Sequence, residues 1–147
     1  MKRRIISVIL LVTILSAFAI TAAAAVIENE GVMPCYNNTM NTSTNFTIST
    51  AGKATISAVY NGYRDRTTGA TITSYIEKRT LGLFWTKVDI GEPNNEWVDT
   101  STDYSGAFGH EFYLEDTGTY RATVVYEIRG TGGATDVIDF DKTLTYS

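Results

Sequence analysis

The alternation of apolar and polar residues constrains this chain more than any other sequence feature. From Asn45 onward the apolar residues recur at every second position, and no window of a dozen residues sustains the 3.6-residue period of a helix. Successive side chains of a strand point to opposite faces, so this pattern is typical of half-buried strands. About seven such strands without helical connections predict an all-β fold, with antiparallel sheets packed face to face or closed as a barrel.

The clearest strand lies in the stretch "GTYRATVVYEI", where Tyr120, Val124 and Ile128 belong to one apolar face. The stretch "AFGHEFYL" also alternates, which places His110 on an apolar face. In the last strand Lys142 interrupts an otherwise apolar face, which indicates a bulge or a side chain that reaches solvent at a sheet edge. Residues 89–104 are polar and are predicted to form a loop, with a short strand near Trp97 as the alternative.

The first 25 residues have the layout of a secretory signal peptide. Three cations at positions 2–4 precede an apolar run from Ile5 to Ile20, and small residues up to Ala25 supply cleavage sites. An uncleaved anchor helix is the alternative, because about 20 apolar residues suffice to span a bilayer. We expect cleavage, and therefore a protein that is secreted or held at the cell surface. The predicted organisation is a signal peptide over 1–25, an Asn/Thr-rich segment over 26–44 and one sandwich domain over 45–147.

Charge and cysteine content narrow the partners and the source of stability. Without the three leader cations the chain keeps nine Lys and Arg against 16 Asp and Glu, a formal charge of −7. Such a surface repels nucleic acid and anionic membranes, so membrane attachment is expected only through an uncleaved leader. Cys35 is the only cysteine, so no intrachain disulfide can form, and packing must stabilise the fold.

The stretch "EDTGTYRA" resembles the turn into strand F of immunoglobulin-like domains, where Asp-x-Gly-x-Tyr precedes a conserved cysteine by two positions. Asp116, Gly118 and Tyr120 match this pattern, whereas Ala122 stands where the cysteine would be. The resemblance implies an immunoglobulin-like β-sandwich in which the tyrosine hydroxyl bonds to backbone a few residues upstream. The chain also resembles small exported proteins of Gram-positive bacteria, a likeness that implies export and fold but assigns no activity.

Catalytic chemistry finds little support in the sequence. His110 is the only histidine. One chain therefore cannot supply a multi-histidine metal site, and a Ser-His-Asp or Cys-His catalytic set could use only this residue. Its position on an apolar face favours a structural histidine over a ligand or base. The glycines of "RGTGGATD" lack the lysine and the following helix of a phosphate-binding loop, so a hairpin turn explains them better. We predict that the protein is not an enzyme and needs no cofactor.

Two sets of residues remain as candidate binding groups. Trp97 and Tyr104 in the polar stretch, with Tyr63 beyond the turn predicted at Asn61-Gly62, offer aromatic rings for a sugar or a protein partner. Carboxylates in the same stretch are hard ligands of the kind that calcium prefers, although solvated acidic side chains are the favoured explanation. These carboxylates are Asp89, Glu92, Glu96, Asp99 and Asp103.

The sequence therefore predicts a secreted, non-catalytic domain, monomeric, that binds an unknown extracellular protein or glycan and no nucleic acid. The alternative is a carbohydrate-binding module, with or without calcium, that uses residues 89–104. An enzyme is the least favoured class, because no nucleophile and base pair can be identified.

Overall fold

The computed structural model describes residues 36–147, so the predicted signal peptide and Cys35 lie outside the described residues. Eight strands and one short 3-10 turn, Pro93–Asn95, make up this part of the chain. The strands are β1 (Thr39–Ile48), β2 (Lys53–Gly62), β3 (Thr67–Thr80), β4 (Phe84–Lys87), β5 (Trp97–Ser101), β6 (Ser105–Tyr113), β7 (Gly118–Gly130) and β8 (Asp136–Tyr146). Within these residues no helical segment has the length and hydropathy of a membrane span.

The strands form two antiparallel sheets, which confirms the predicted all-β sandwich. One sheet has the order β1-β2-β6 and the other the order β4-β3-β7-β8, with β5 paired to β3. Since β3 pairs with β7 along one edge, β4 and β5 share its other edge. The sheet that contains the first, second and sixth strands faces the sheet that contains the third, seventh and eighth.

The core lies between the sheets and is filled by the inward-facing side chains of the alternating strands. Ile56 and Ile72 from the two sheets are buried in it, as are Ala58 and Ala122, the latter at the position where the resemblance would place a cysteine. Ordinary packing therefore occupies the place of a disulfide. Among residues 36–147, every buried side-chain nitrogen or oxygen has a hydrogen-bond partner.

Three buried tyrosines extend from this core to backbone carbonyls. The Tyr120 hydroxyl donates to the carbonyl of Asp116 at 2.6 Å, and the ring is 2% exposed. The Tyr60 hydroxyl donates to the carbonyl of Asp103 at 2.8 Å. The Tyr126 hydroxyl contacts the other sheet, at the carbonyl of Ser43. Burial raises the pKa of Tyr126, so its hydroxyl stays protonated and able to donate.

Several expectations need correction. The first strand begins at Thr39 rather than near Asn45, so part of the Asn/Thr-rich segment belongs to the sandwich. Residues 89–104 are a loop interrupted by a short strand, which confirms the alternative: β5 pairs with β3 from Trp97 onward. The Asn-Gly dipeptide does not form the turn: β2 runs through Gly62, and the chain reverses over residues 63–66.

Lys142 points inward from β8, which is an edge strand. The pairing of β8 with β7 runs without a register shift, so the bulge alternative is wrong. The side chain is half-buried, as expected for a lysine whose ammonium reaches solvent at an open side of the sandwich.

Candidate functional site

The structure separates the three aromatic residues that the sequence singled out. Tyr63 follows β2 and Tyr104 precedes β6, and the two lie at the same end of the sandwich because Asn61 and Ser105 are paired across the sheet. Trp97 opens β5 on the far edge of the second sheet and faces inward. A single surface formed by all three is therefore not present.

The guanidinium of an arginine lies over the ring of each of Tyr63 and Tyr104. The guanidinium of Arg64 lies 5.0 Å from the centre of the Tyr104 ring, and its Nη2 donates to the Tyr104 hydroxyl at 2.9 Å. The guanidinium of Arg66 lies 4.5 Å from the centre of the Tyr63 ring. Such cation–π contacts hold long side chains in defined positions. We call these four residues the tyrosine–arginine end.

Backbone hydrogen bonds fix the two turns that carry this surface. The Gly62 amide donates to the Tyr104 carbonyl at 2.8 Å, which joins the turns directly. Within the first turn, the amides of Arg66 and Thr67 both donate to the Tyr63 carbonyl. The Thr131 amide, from the β7–β8 hairpin, donates to the Arg66 carbonyl. The tyrosine–arginine end is thus a rigid surface in which several loops take part.

The N-terminal residues of the described chain close the same end. Asn38 is fully buried. The backbone amides of Asn38 and Asn37 donate to the carboxylate of Asp136 at 2.7 and 2.9 Å. The Thr39 hydroxyl donates to the same carboxylate at 2.8 Å. Burial opposes ionisation of Asp136, but these hydrogen bonds outweigh it and lower the pKa of the carboxyl. Asp136 is therefore a structural anion that secures the N-terminal segment.

Trp97 and Asp99 meet His110 at the open side between β5 and β6. The His110 Nε2 lies 2.7 Å from the Asp99 Oδ2, and the Trp97 ring stacks on the imidazole with centres 4.9 Å apart. His110 shares the inward face with Phe108 and Phe112, as the alternation predicted. Trp97 and Asp99 lie on β5 of one sheet and His110 lies on β6 of the other, so their contacts close this side of the sandwich.

The five carboxylates proposed as calcium ligands do not converge. Glu96 forms an ion pair with Lys87, and Asp99 is the partner of His110. Asp89 accepts a hydrogen bond from a nearby backbone amide, and Asp103 lies in the turn before β6. Across residues 36–147, no group of three or more His, Cys, Asp or Glu side chains is arranged to hold a metal ion. Glu92 lies directly before the 3-10 turn and belongs to no such group within these residues.

A cleft of about 400 Å³ lies at the other end of the molecule, between the β3–β4 hairpin and the β6–β7 turn. Its apolar lining includes Phe112 and Leu114. Asp89 is the only carboxylate of the predicted metal set that lines it. Lys78 spans the rim and donates to Asp116 at 2.7 Å, a hydrogen bond that raises the pKa of the lysine. The cleft size lies within the range of small-molecule sites.

Sequence reasoning missed the two arginines of the tyrosine–arginine end. The signal was present in "YRDR", residues 63–66, where cations alternate beside a tyrosine directly after a strand. Pairing Arg64 with Tyr104 requires the β5–β6 turn to lie beside the β2–β3 turn, which local sequence does not specify. Compared with protein-family models, with curated proteins and with solved structures, the chain shows no significant match.

Proposed function

We propose that this protein is a secreted, non-catalytic β-sandwich domain that binds an extracellular or cell-envelope partner protein through its tyrosine–arginine end. The observation that carries the proposal is the pair of ring–guanidinium contacts on turns fixed by backbone hydrogen bonds. Tyrosine and arginine are the residues most enriched, with tryptophan, at energetically dominant positions of protein interfaces. Rigid presentation lowers the entropy lost on binding.

The chemistry of this surface favours a partner that offers carboxylates. A guanidinium placed over a ring still has donors directed outward, and it can bind a carboxylate in a bidentate manner. Arg64 is exposed, and Tyr104 is more than one-third exposed, so both remain accessible to a partner. Asp65 is also exposed and lies 3.6 Å from the Nε of Arg66. Among residues 36–147, Arg64 is thus the guanidinium of this surface that has no carboxylate at ion-pair distance, and it is the group offered to a partner's carboxylate.

The non-catalytic part of the proposal is supported by the environment of the single histidine. His110 is engaged by Asp99 and Trp97 at the side of the sandwich, at a distance from the tyrosine–arginine end. The exported, immunoglobulin-like character is supported by the leader sequence and by the strand order. We infer that the chain is one of the small exported sandwich proteins of Gram-positive bacteria, acting as a monomer.

Site-specific photo-crosslinking in cells that export the protein tests this function. A photoreactive amino acid at position 64 or 104 should give a discrete adduct, because these side chains would contact the partner. The matched control is the same amino acid at Ser57, which faces outward from the middle of β2. Adducts at Ser57 equal to those at the two loop positions would contradict the proposal.

Alanine substitution then separates binding from folding. Tyr63→Ala and Tyr104→Ala should reduce the adduct formed at position 64 at least about tenfold, as expected for loss of an interface anchor, while the melting temperature stays close to that of the parent. Loss of the adduct only together with unfolding would contradict a loop-presented site. Binding on a glycan array that Asp89→Ala removes would instead assign the function to the cleft and to carbohydrate.

A further inference from the structure

The hairpin between β3 and β4 exposes three large apolar side chains around one glycine. Leu81 is 85% exposed, Leu83 is 75% exposed and Phe84 is 63% exposed. They are consecutive except for Gly82, so they form one apolar tip rather than scattered surface positions. Contiguous exposed apolar surface of this kind marks interaction sites in soluble proteins. We call residues 81–84 the hairpin tip.

The backbone of the tip is strained at a residue that does not pack. Leu81 has a φ of 53° and Gly82 a φ of 67°, the left-handed conformations of a primed hairpin turn. Glycine and asparagine adopt this region readily, whereas a leucine is disfavoured there. Leu81 gains no burial in return. An exposed leucine in a strained turn is explained if the side chain contacts something outside the domain.

Behind the tip lies an aromatic ring between two cations. Trp85 follows Phe84, and the guanidinium of Arg121 lies 4.5 Å from its ring centre, with that of Arg79 at 5.9 Å. Arg121 also forms an ion pair with Glu77. Within residues 36–147, Arg79 has no carboxylate at ion-pair distance, so its charge is available to an external anion.

We propose that the hairpin tip docks the protein on an anionic lipid bilayer by inserting its apolar side chains among the headgroups and upper acyl chains. From the tip inward, the hairpin carries leucine and phenylalanine side chains and then Trp85, with Arg79 directly across the strand pair. Arg121 lies further in, on β7 opposite Glu77. This is the order of a bilayer surface, where tryptophan lies at the headgroup level and arginine meets the phosphates. At about 3.3 Å per strand residue, Trp85 lies roughly 7 Å behind Leu83, which matches the depth of shallow interfacial insertion, about 5–10 Å.

The local charge decides which part of the protein can approach an anionic bilayer. The chain as a whole is acidic, so an anionic bilayer repels most of its surface. Near the tip, Lys78, Lys87 and Arg121 are each paired with a carboxylate. Arg79 is the cation beside Trp85 that keeps its charge for the bilayer, and a cation near an anionic surface contributes to binding over a short range. Docking would therefore use the tip alone and would orient the domain.

This inference goes beyond the proposed partner-binding function and does not depend on it. Strand β3 begins at Thr67 beside the tyrosine–arginine end and reaches the hairpin after Thr80. Its 14 residues separate the two ends by about 45 Å at strand rise. A domain docked through the tip would hold the tyrosine–arginine end away from the membrane.

Depth-dependent quenching of Trp85 by brominated lipids tests the proposal directly. The protein is purified as exported, its N-terminus is read by mass spectrometry, and it is mixed with vesicles of equal parts phosphatidylglycerol and phosphatidylcholine. The Trp97→Phe variant leaves Trp85 as the only tryptophan, since the chain has two. Its emission should shift to the blue and be quenched by shallow bromines. In the Trp85→Phe variant, Trp97 should show neither change, whatever the state of the leader.

Tip substitutions then measure binding by co-sedimentation with the same vesicles. The double variant Leu81→Asn and Phe84→Ser should lower the partition coefficient at least about tenfold, because transfer of apolar side chains drives the insertion. Asparagine suits the left-handed turn, so the variant should fold as well as the parent. The control is Val137→Ser, which removes an exposed apolar side chain from β8 and should change nothing.

Three results would overturn the proposal. They are an unquenched Trp85, equal partition of the tip variant and the parent, and equal partition onto vesicles of phosphatidylcholine alone. Concentration-dependent self-association that the double variant abolishes, without any vesicle binding, would assign the tip to a second copy of the chain instead.

Discussion

At the scale of single residues, three buried tyrosines combine core packing with hydrogen bonds to the backbone. Tyr60, Tyr120 and Tyr126 each place a ring in the core and a hydroxyl on a backbone carbonyl. A ring contributes a large buried apolar area, and the satisfied hydroxyl removes the penalty for its polar tip. Tyr126 links opposite sheets, whereas Tyr60 and Tyr120 fix the turns before β6 and β7.

Removing one of these hydroxyls should weaken the fold measurably. Tyr120→Phe leaves the ring in place but strands the Asp116 carbonyl, so we expect the free energy of unfolding to fall by about 1 kcal/mol. Urea unfolding followed by tryptophan fluorescence measures the change. The control is Tyr113→Phe, since Tyr113 is mostly exposed and should contribute almost nothing. Equal stability of parent and Tyr120→Phe would show that the hydroxyl bond is not stabilising.

Sequence alone could predict a residue whose role depends on near neighbours. The hydrogen bond of Tyr120 spans four positions, and the resemblance of Asp116, Gly118 and Tyr120 to a short motif suggested it. Asp136 contacts Asn38 across 98 positions, and no local pattern marks that pair. For the same reason the sequence grouped Trp97 with Tyr63 and Tyr104, since it could not show which edge of the sheet β5 would occupy.

At the scale of elements, alternation predicted the long strands better than the short or polar ones. β2, β3 and β7 bury every second residue, and their faces are as expected. The start of β1 escaped prediction because residues 39–45 are mostly Asn and Thr, which give no apolar contrast. β5 has five residues, too few to establish a period by itself.

The edge strand β8 gives a prediction about self-association. An inward-pointing charge on an edge strand disfavours pairing with a second sheet, because the added strand would bury it. Lys142 has this position between the inward residues Phe140 and Leu144. We therefore expect Lys142→Leu to raise the melting temperature while it promotes concentration-dependent dimers, as measured by sedimentation velocity.

Thr143→Leu is the matched control for this edge. It adds the same apolar side chain one position along β8, on the outward face, and leaves the inward lysine in place. The control should remain monomeric at concentrations where Lys142→Leu associates. Association of both variants to the same extent would mean that added apolar surface, not the lost inward charge, drives the pairing.

At the scale of the whole molecule, the two ends of the sandwich have different chemistry. One end carries the tyrosine–arginine surface and is closed by the N-terminal residues, which Asp136 holds. The other end carries the cleft and the exposed hairpin tip. The proposed partner site and the proposed bilayer contact therefore do not compete for the same surface, and a domain of this size can serve both.

Closure of the first end should depend on pH through Asp136. Its pKa in the folded protein lies below the ordinary value of 3.8, because the hydrogen bonds to its carboxylate outweigh the effect of burial. The folded state thus binds this proton less readily than the unfolded chain. The contribution of Asp136 to the free energy of unfolding is fully present above pH 3.8 or somewhat higher, and it is lost as the pH falls through the folded pKa.

Asp136→Asn measures that contribution. The amide group directs a donor at backbone amides that need an acceptor, so we expect a loss of about 2 kcal/mol at neutral pH. The difference in unfolding free energy between parent and variant should shrink as the pH is lowered below the ordinary carboxyl range, because the parent then loses the same charge. Urea titrations at successive pH values test this, with the exposed Asp139→Asn as control. Parent and Asp136→Asn curves that stay parallel down to the acid limit would show that the carboxylate does not hold this end closed.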